Sequence, residues 1–125
     1  MTQTLPIVQN FLDYLVDERH FSPYTSRCYG LDLRQFTEFL SEEFGIEFNQ
    51  ETEATAVTNP EARQGTLSGL ILDADVERIR SFLAWMSDRD YSSATMARKI
   101  ATLRSFHKWL EKLTFIDTNP MLAIR

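Results

Sequence analysis

The sequence has little of what staples or breaks small folds: its 125 residues hold one cysteine, four glycines and four prolines. A lone Cys28 excludes an internal disulfide and fits a reducing compartment. The glycines are dispersed, so no glycine-rich phosphate loop can be built from them. No His-x-x-x-His or Cys-x-x-Cys spacing occurs, which leaves no zinc site and no cofactor to expect. His20 and His107 lie far apart, and His107 falls on an apolar helical stripe, where a packed imidazole is expected. There is no run of about 18 apolar residues and no basic, then apolar, then small-residue leader. Neither a membrane span nor a secretion signal is therefore expected, and the cytoplasm is the expected setting. Converging groups of the kind an enzyme site needs cannot be assembled, so no residue is assigned as catalytic. Tyr14, Tyr24, Tyr29 and Tyr91 read as core or margin aromatics. Strand-like alternation, low-complexity tracts and internal repeats are not evident.

What remains is 43% hydrophobic and 25% charged, the balance of a globular protein. At this length one domain covering residues 1–125 is expected, large enough to bury a core without staples. Helical periodicity dominates, so the fold class is all-α. The first helix spans about residues 5–18, with Val8, Phe11, Leu12 and Leu15 as its core stripe. The second begins at "FSPYT", where Ser22 can cap and Pro23 suits the first helical position, and it runs to Phe44 with Gly45 as its stop. Its expected core is Tyr29, Leu33, Phe36, Phe39 and Leu40, with Arg27, Gly30, Leu31, Arg34, Glu38 and Ser41 opposite. A third helix starts near Asp73 or Asp75 and buries Val76, Ile79, Phe82, Leu83 and Met86. Between them, residues 45–72 are long for an interhelical connection; "NQETEATAVTNPEARQGT" is polar, broken by Asn59-Pro60 and Gly65, and reads as an insertion or mobile excursion, with "LSGLIL" as the point where the chain rejoins the core.

The fourth helix, "YSSATMARKIATLRSFHKWL", has two unlike sides. Met96, Ile100, Leu103, His107 and Leu110 form one stripe, while Ala94, Arg98, Thr102, Ser105 and Lys112 lie opposite. Positive charge, hydroxyls and small side chains suit close approach to a phosphate backbone; a solvated face is the plain alternative. Overall charge argues against nucleic acid, at −5. The sum conceals a split, however, with residues 1–90 at −9 and residues 91–125 at +4, which places a local basic surface on an acidic body. Trp109, set among polar positions, is expected under the tail, where Asn119-Pro120 signals a turn.

Two segments together resemble a known family. "FSPYTSRCYGLDLRQFTEFL" supplies Thr25, Tyr29, Asp32 and Leu33. The segment "YSSATMARKIATLRSFHKWLEKLTFIDTNP" supplies Thr95, Arg98, Ile100, Leu103, Arg104, Phe106, Asn119 and Pro120. This pattern resembles the amino-terminal core-binding domain of Xer-type tyrosine recombinases and phage integrases, over nearly the whole chain except residues 45–72. The resemblance implies a four-to-five-helix orthogonal bundle, SAM-like and of the lambda-integrase type. It implies binding to double-stranded DNA, with the second and fourth helices in the major groove of a half-site. It further implies a separate catalytic domain downstream that supplies the tyrosine nucleophile, and contacts with other protomers in a tetrameric synapse. The residues expected at DNA are Ser26, Arg27, Arg34, Thr95, Arg98, Lys99, Thr102, Ser105 and Lys108. Gly30 and Leu31 depart from the family, which commonly has two basic residues there. A helical protein-interaction module without DNA binding, using a patch around Leu31, Phe115 and Met121, is the alternative. Arg104, near the rim of the apolar stripe, is expected either in a structural ion pair with a carboxylate or at DNA.

Overall fold

Helix starts in this chain follow from short capping side chains placed ahead of good helix formers. The computed structural model describes residues 4–125, and among them all regular structure is helical. The chain divides into two compact units, Met1–Ile71 and Leu72–Arg125.

In the first unit, α1 (Pro6–Asp17) opens on a proline, which loses no hydrogen bond there. It buries Ile7, Val8, Phe11, Leu12 and Leu15, the expected stripe plus one residue. Helix α2 (Pro23–Phe44) is capped by the Ser22 hydroxyl, which accepts from the Thr25 N–H at 3.1 Å. It stops where Gly45 adopts a left-handed φ of 67°, a conformation glycine takes without penalty. Both bounds are those read from the sequence. The buried face of α2 packs on α1 and holds Leu33, Phe36, Phe39 and Leu40, with Tyr29 only half-buried. Gly30 belongs to that face and not to the opposite one: a Cβ there would stand 3.0 Å from Leu12 Cδ1, so glycine permits the close approach of α1.

Residues 45–72 overturn the expectation of a loose excursion. They form α3 (Gln50–Thr58), a 3-10 turn (Pro60–Ala62) and α4 (Leu67–Leu72), and α3 packs against α1. Two reciprocal caps hold them. Glu53 on α3 is buried, and its carboxylate accepts from the N–H groups of Leu67 and Ser68 at 3.0 and 2.8 Å and from the Ser68 hydroxyl at 2.7 Å. In return, the Arg63 guanidinium donates to the carbonyls of Ala56 and Val57 at the end of α3, at 2.7 and 3.0 Å. Each ionised side chain satisfies backbone groups that a helix end leaves without partners, and each sign suits the helix dipole it meets.

In the second unit, α5 (Val76–Ser87) is capped by Asp75, and α6 (Ser93–Lys112) by Ser92. Helix α5 buries Ile79, Phe82 and Met86, while Val76, Leu83 and Trp85 are half-buried. Beyond α6, Asn119 caps a 3-10 turn (Pro120–Ala123) that packs against α5 and α6. Trp109 is buried, 6.0 Å from the Phe115 ring, as expected for a residue under the tail.

The two units repeat a local design, contrary to the expectation of no repeat. Ser22 and Thr25 exchange the same two hydrogen bonds as Ser92 and Thr95. The residues two before these caps, His20 and Asp90, both take a left-handed φ, 56° and 59°. Leu33, Phe36, Thr37, Phe39 and Leu40 are buried in α2, as are Leu103, Phe106, His107, Trp109 and Leu110 in α6. Tyr29 sits edge-on to Phe21, and at the matching place Lys99 sets its ammonium over Tyr91. Phe11 stacks with Tyr14 as Phe82 does with Trp85. Of the matched buried positions, Leu33/Leu103, Phe36/Phe106 and Leu40/Leu110 are identical, while Thr37/His107 and Phe39/Trp109 differ.

Candidate nucleic-acid interface

On α6 the buried arc comprises Lys99, Thr102, Leu103, Phe106, His107, Trp109 and Leu110. At 100° per residue this arc is rotated by roughly 60° from the one expected, which was centred on Ile100 and Leu103. The reason lies in two polar residues that satisfy themselves. Thr102, fully buried, donates its hydroxyl to the Arg98 carbonyl at 3.1 Å, so its polar group is met within its own helix. Lys99 buries its aliphatic stem and places its ammonium 4.7 Å from the centre of the Tyr91 ring. Met96 and Ile100, expected in the core, are only half-buried.

The rotation corrects the expected contact set. Thr102 and Lys99 do not face outward, and Ser26 on α2 is buried as well. Ser105 and Thr95 are half-buried, and Thr95 is engaged in the Ser92 cap. Arg34 is half-buried and reaches Thr4 Oγ1 at 3.4 Å. Arg27, Arg98 and Lys108 remain exposed as expected. The exposed arc of α6 runs from Arg104 through Ala97, Lys108 and Ala101 to Lys112, Ala94 and Arg98. Ala97, Lys108 and Ala101 thus occupy its middle and Arg104 and Arg98 its edges, with exposed Glu111 just beyond Arg104. Arg104, expected as an ion-pair partner or a DNA contact, is exposed and donates to the Ile124 carbonyl at 3.0 Å.

On α2 the exposed arc carries Tyr24, Arg27 and Leu31 in its first half and Glu42 and Glu43 near its end. Tyr24, read from sequence as a core or margin aromatic, is 70% exposed. The available signal was its phase, since it lies on the side opposite Leu33 and Phe36. The patch proposed for a protein-interaction module does not hold together, because Met121 is buried and Phe115 half-buried.

His107 is buried, its Nδ1 2.8 Å from the Leu103 carbonyl oxygen. Burial lowers its pKa, opposed in part by that hydrogen bond. The folded state therefore keeps the imidazole neutral where the unfolded chain, with an ordinary value near ~6.5, already protonates it. The unfolded state then binds more protons, so stability is expected to fall as pH drops below about 6.5, by at most about 1.4 kcal/mol per pH unit. A His107→Leu variant should lose this contribution, visible in urea midpoints measured between about pH 7 and 5; an unchanged pH slope would contradict it.

Among the described residues no helix is long and apolar enough to cross a membrane. Residues 8–58 and 66–112 match the family model described as phage integrase, N-terminal SAM-like domain. The chain is similar to the tyrosine recombinase XerC of Listeria innocua serovar 6a, 35% identical over 99% of this chain and 34% of the relative. It is also similar to the XerC recombinase of Pelotomaculum thermopropionicum, 31% identical over 94% of this chain and 32% of that protein. No solved structure matches it. The chain spans about a third of the length of the curated relatives it matches. With the family model matched over most of its length, the chain belongs to the phage integrase N-terminal SAM-like domain family.

Proposed function

We propose that this chain is the core-site-binding domain of a site-specific tyrosine recombinase. It holds a DNA half-site through the major groove, while a separate catalytic domain of the same protein cuts and rejoins the strand. The observation that carries this reading is the exposed arc of α6, where Ala97, Lys108 and Ala101 lie between Arg104 on one side and Arg98 on the other. Methyl-sized side chains let a helix backbone approach a groove wall, and the guanidinium and ammonium groups beside them bind phosphates. Arg27 on α2 adds a fourth cation. No group in this chain is assigned to chemistry, and its tyrosines are not the nucleophile. Exposed Leu113 and Leu122, beyond the cationic arc, are the surface we assign to neighbouring protomers of the synapse. The cytoplasm is the setting such a role requires.

The acidic first unit makes this binding dependent on few contacts, and therefore on salt. Each neutralised phosphate contributes about 0.9 to the slope of log K against log salt, so four contacts predict a loss on the order of 100-fold when salt rises fourfold. Fluorescence anisotropy with duplexes selected from a random pool at low salt measures this directly. Arg98→Ala should reduce the slope by about one contact and weaken binding to all duplexes alike. Equal binding by wild type and Arg98→Ala at every salt concentration would remove α6 from the interface.

A further inference from the structure

Helices α2 and α6 share a cap, a buried register and an exposed arc, yet fill that arc with different side chains. In α2 the outward positions hold Tyr24, Arg27 and Leu31; the matching positions of α6 hold Ala94, Ala97 and Ala101. Leu31 stands at the middle of its arc with 50% of its surface exposed, as Ala101 stands at the middle of the other. Charge diverges further along, where Glu38 and Glu42 of α2 match Lys108 and Lys112 of α6. Phosphates repel the later turns of α2, so this helix can meet a duplex only through its first turns. Within those turns Tyr24 and Arg27 offer polar ends, and Leu31 offers only hydrocarbon. The major groove contains one apolar group on a base edge, the 5-methyl of thymine.

We infer that Leu31 is a specificity-determining residue that packs against a thymine 5-methyl in the major groove, while Arg27, one turn earlier on the same arc, holds an adjacent phosphate. This rests on the docking of α2 and α6 proposed above. It converts a departure from the family's basic pattern into a change of readout, in which a phosphate or base-polar contact is exchanged for an apolar one.

The test uses the full chain and duplexes it selects from a random pool at low salt. Each thymine of a selected duplex is replaced in turn by deoxyuridine, which lacks only the methyl. One replacement is expected to weaken wild type about fourfold, since burying one methyl-sized group is worth about 0.8 kcal/mol. The same replacement should leave Leu31→Ala unchanged, and an unaltered urea midpoint for this variant shows that the fold is kept. Deoxyuridine effects equal in wild type and variant, or absent at every thymine, overturn the inference and leave the docking reading standing. Failure of wild type to bind any duplex at low salt overturns both. Loss of self-association in Leu31→Glu by light scattering, with no methyl dependence, assigns the residue to a protein neighbour instead and also overturns it.

Discussion

Replacing Glu53 by alanine is expected to lower stability by about 3 to 5 kcal/mol, more than any single contact in the polar middle of the sequence suggests. Its carboxylate accepts three hydrogen bonds from Leu67 and Ser68, and both of those residues are buried. Without it, two backbone N–H groups and one hydroxyl lose their acceptor where water does not reach, at about 1 to 3 kcal/mol each. Helix α4 has six residues, too few to persist without tertiary support. The loss should therefore appear first as fast hydrogen exchange across residues 67–72 and then as an earlier urea midpoint. Glu53→Gln keeps one acceptor oxygen and is expected to lose about half as much. Glu51→Ala, exposed in the same helix, should stay within about 0.5 kcal/mol of wild type. A loss below about 1 kcal/mol for Glu53→Ala would show that α3 does not hold α4.

That Glu53 matters was invisible to sequence reading, for a definite reason. Periodicity registers apolar stripes and caps register short-range patterns, but Glu53 acts 14 and 15 residues away. In "NQETEATAVTNPEARQGT" it is one acidic residue among several, and nothing local separates it from exposed Glu51. Arg63 is hidden in the same way, because its partners are backbone carbonyls, which have no sequence identity. By contrast, the ends of α2 were legible to the residue, because Ser22, Pro23 and Gly45 each act on the backbone within a turn of themselves. For α5 the sequence left Asp73 and Asp75 as alternatives, of which Asp75 is the cap.

The candidate interface lies between these cases. Its location on α6 and the exposure of Arg98 and Lys108 followed from charge and spacing. The rotation of the helix did not, because residue type is a poor guide where a polar side chain satisfies itself locally. Thr102 bonds one turn back on its own helix and Lys99 leans on Tyr91, so both enter the core with little penalty. What replaces them at the surface is Ala97 and Ala101, which hydrophobic patterning counts as core. The exposed arc of α6 therefore carries alanine where threonine was expected.

A second large effect is expected at Gly69, where alanine should destabilise by about 2 to 4 kcal/mol although it replaces glycine inside a helix. In an unhindered helix the same change stabilises by about 0.5 to 1 kcal/mol, because glycine has more conformational entropy to lose. At Gly69 the added Cβ is driven into the Arg63 carbonyl oxygen, with the carbonyl carbon 2.9 Å away and Thr66 Oγ1 at 3.2 Å. That carbonyl has nowhere to go. It accepts from the Thr66 N–H and hydroxyl at 3.1 and 2.7 Å, and the Arg63 side chain is tied to the end of α3. Relief requires backbone movement, which breaks the Thr66 bonds or withdraws Arg63 from its cap. Gly30 supplies the contrast, since a Cβ there meets only the tip of the Leu12 side chain at 3.0 Å, which can turn aside. Gly30→Ala is therefore expected within about 1 kcal/mol of neutral. Urea denaturation of both variants separates the cases by size; a stabilising Gly69→Ala would mean that the Arg63 carbonyl is free to yield and that the reciprocal caps do not fix the segment.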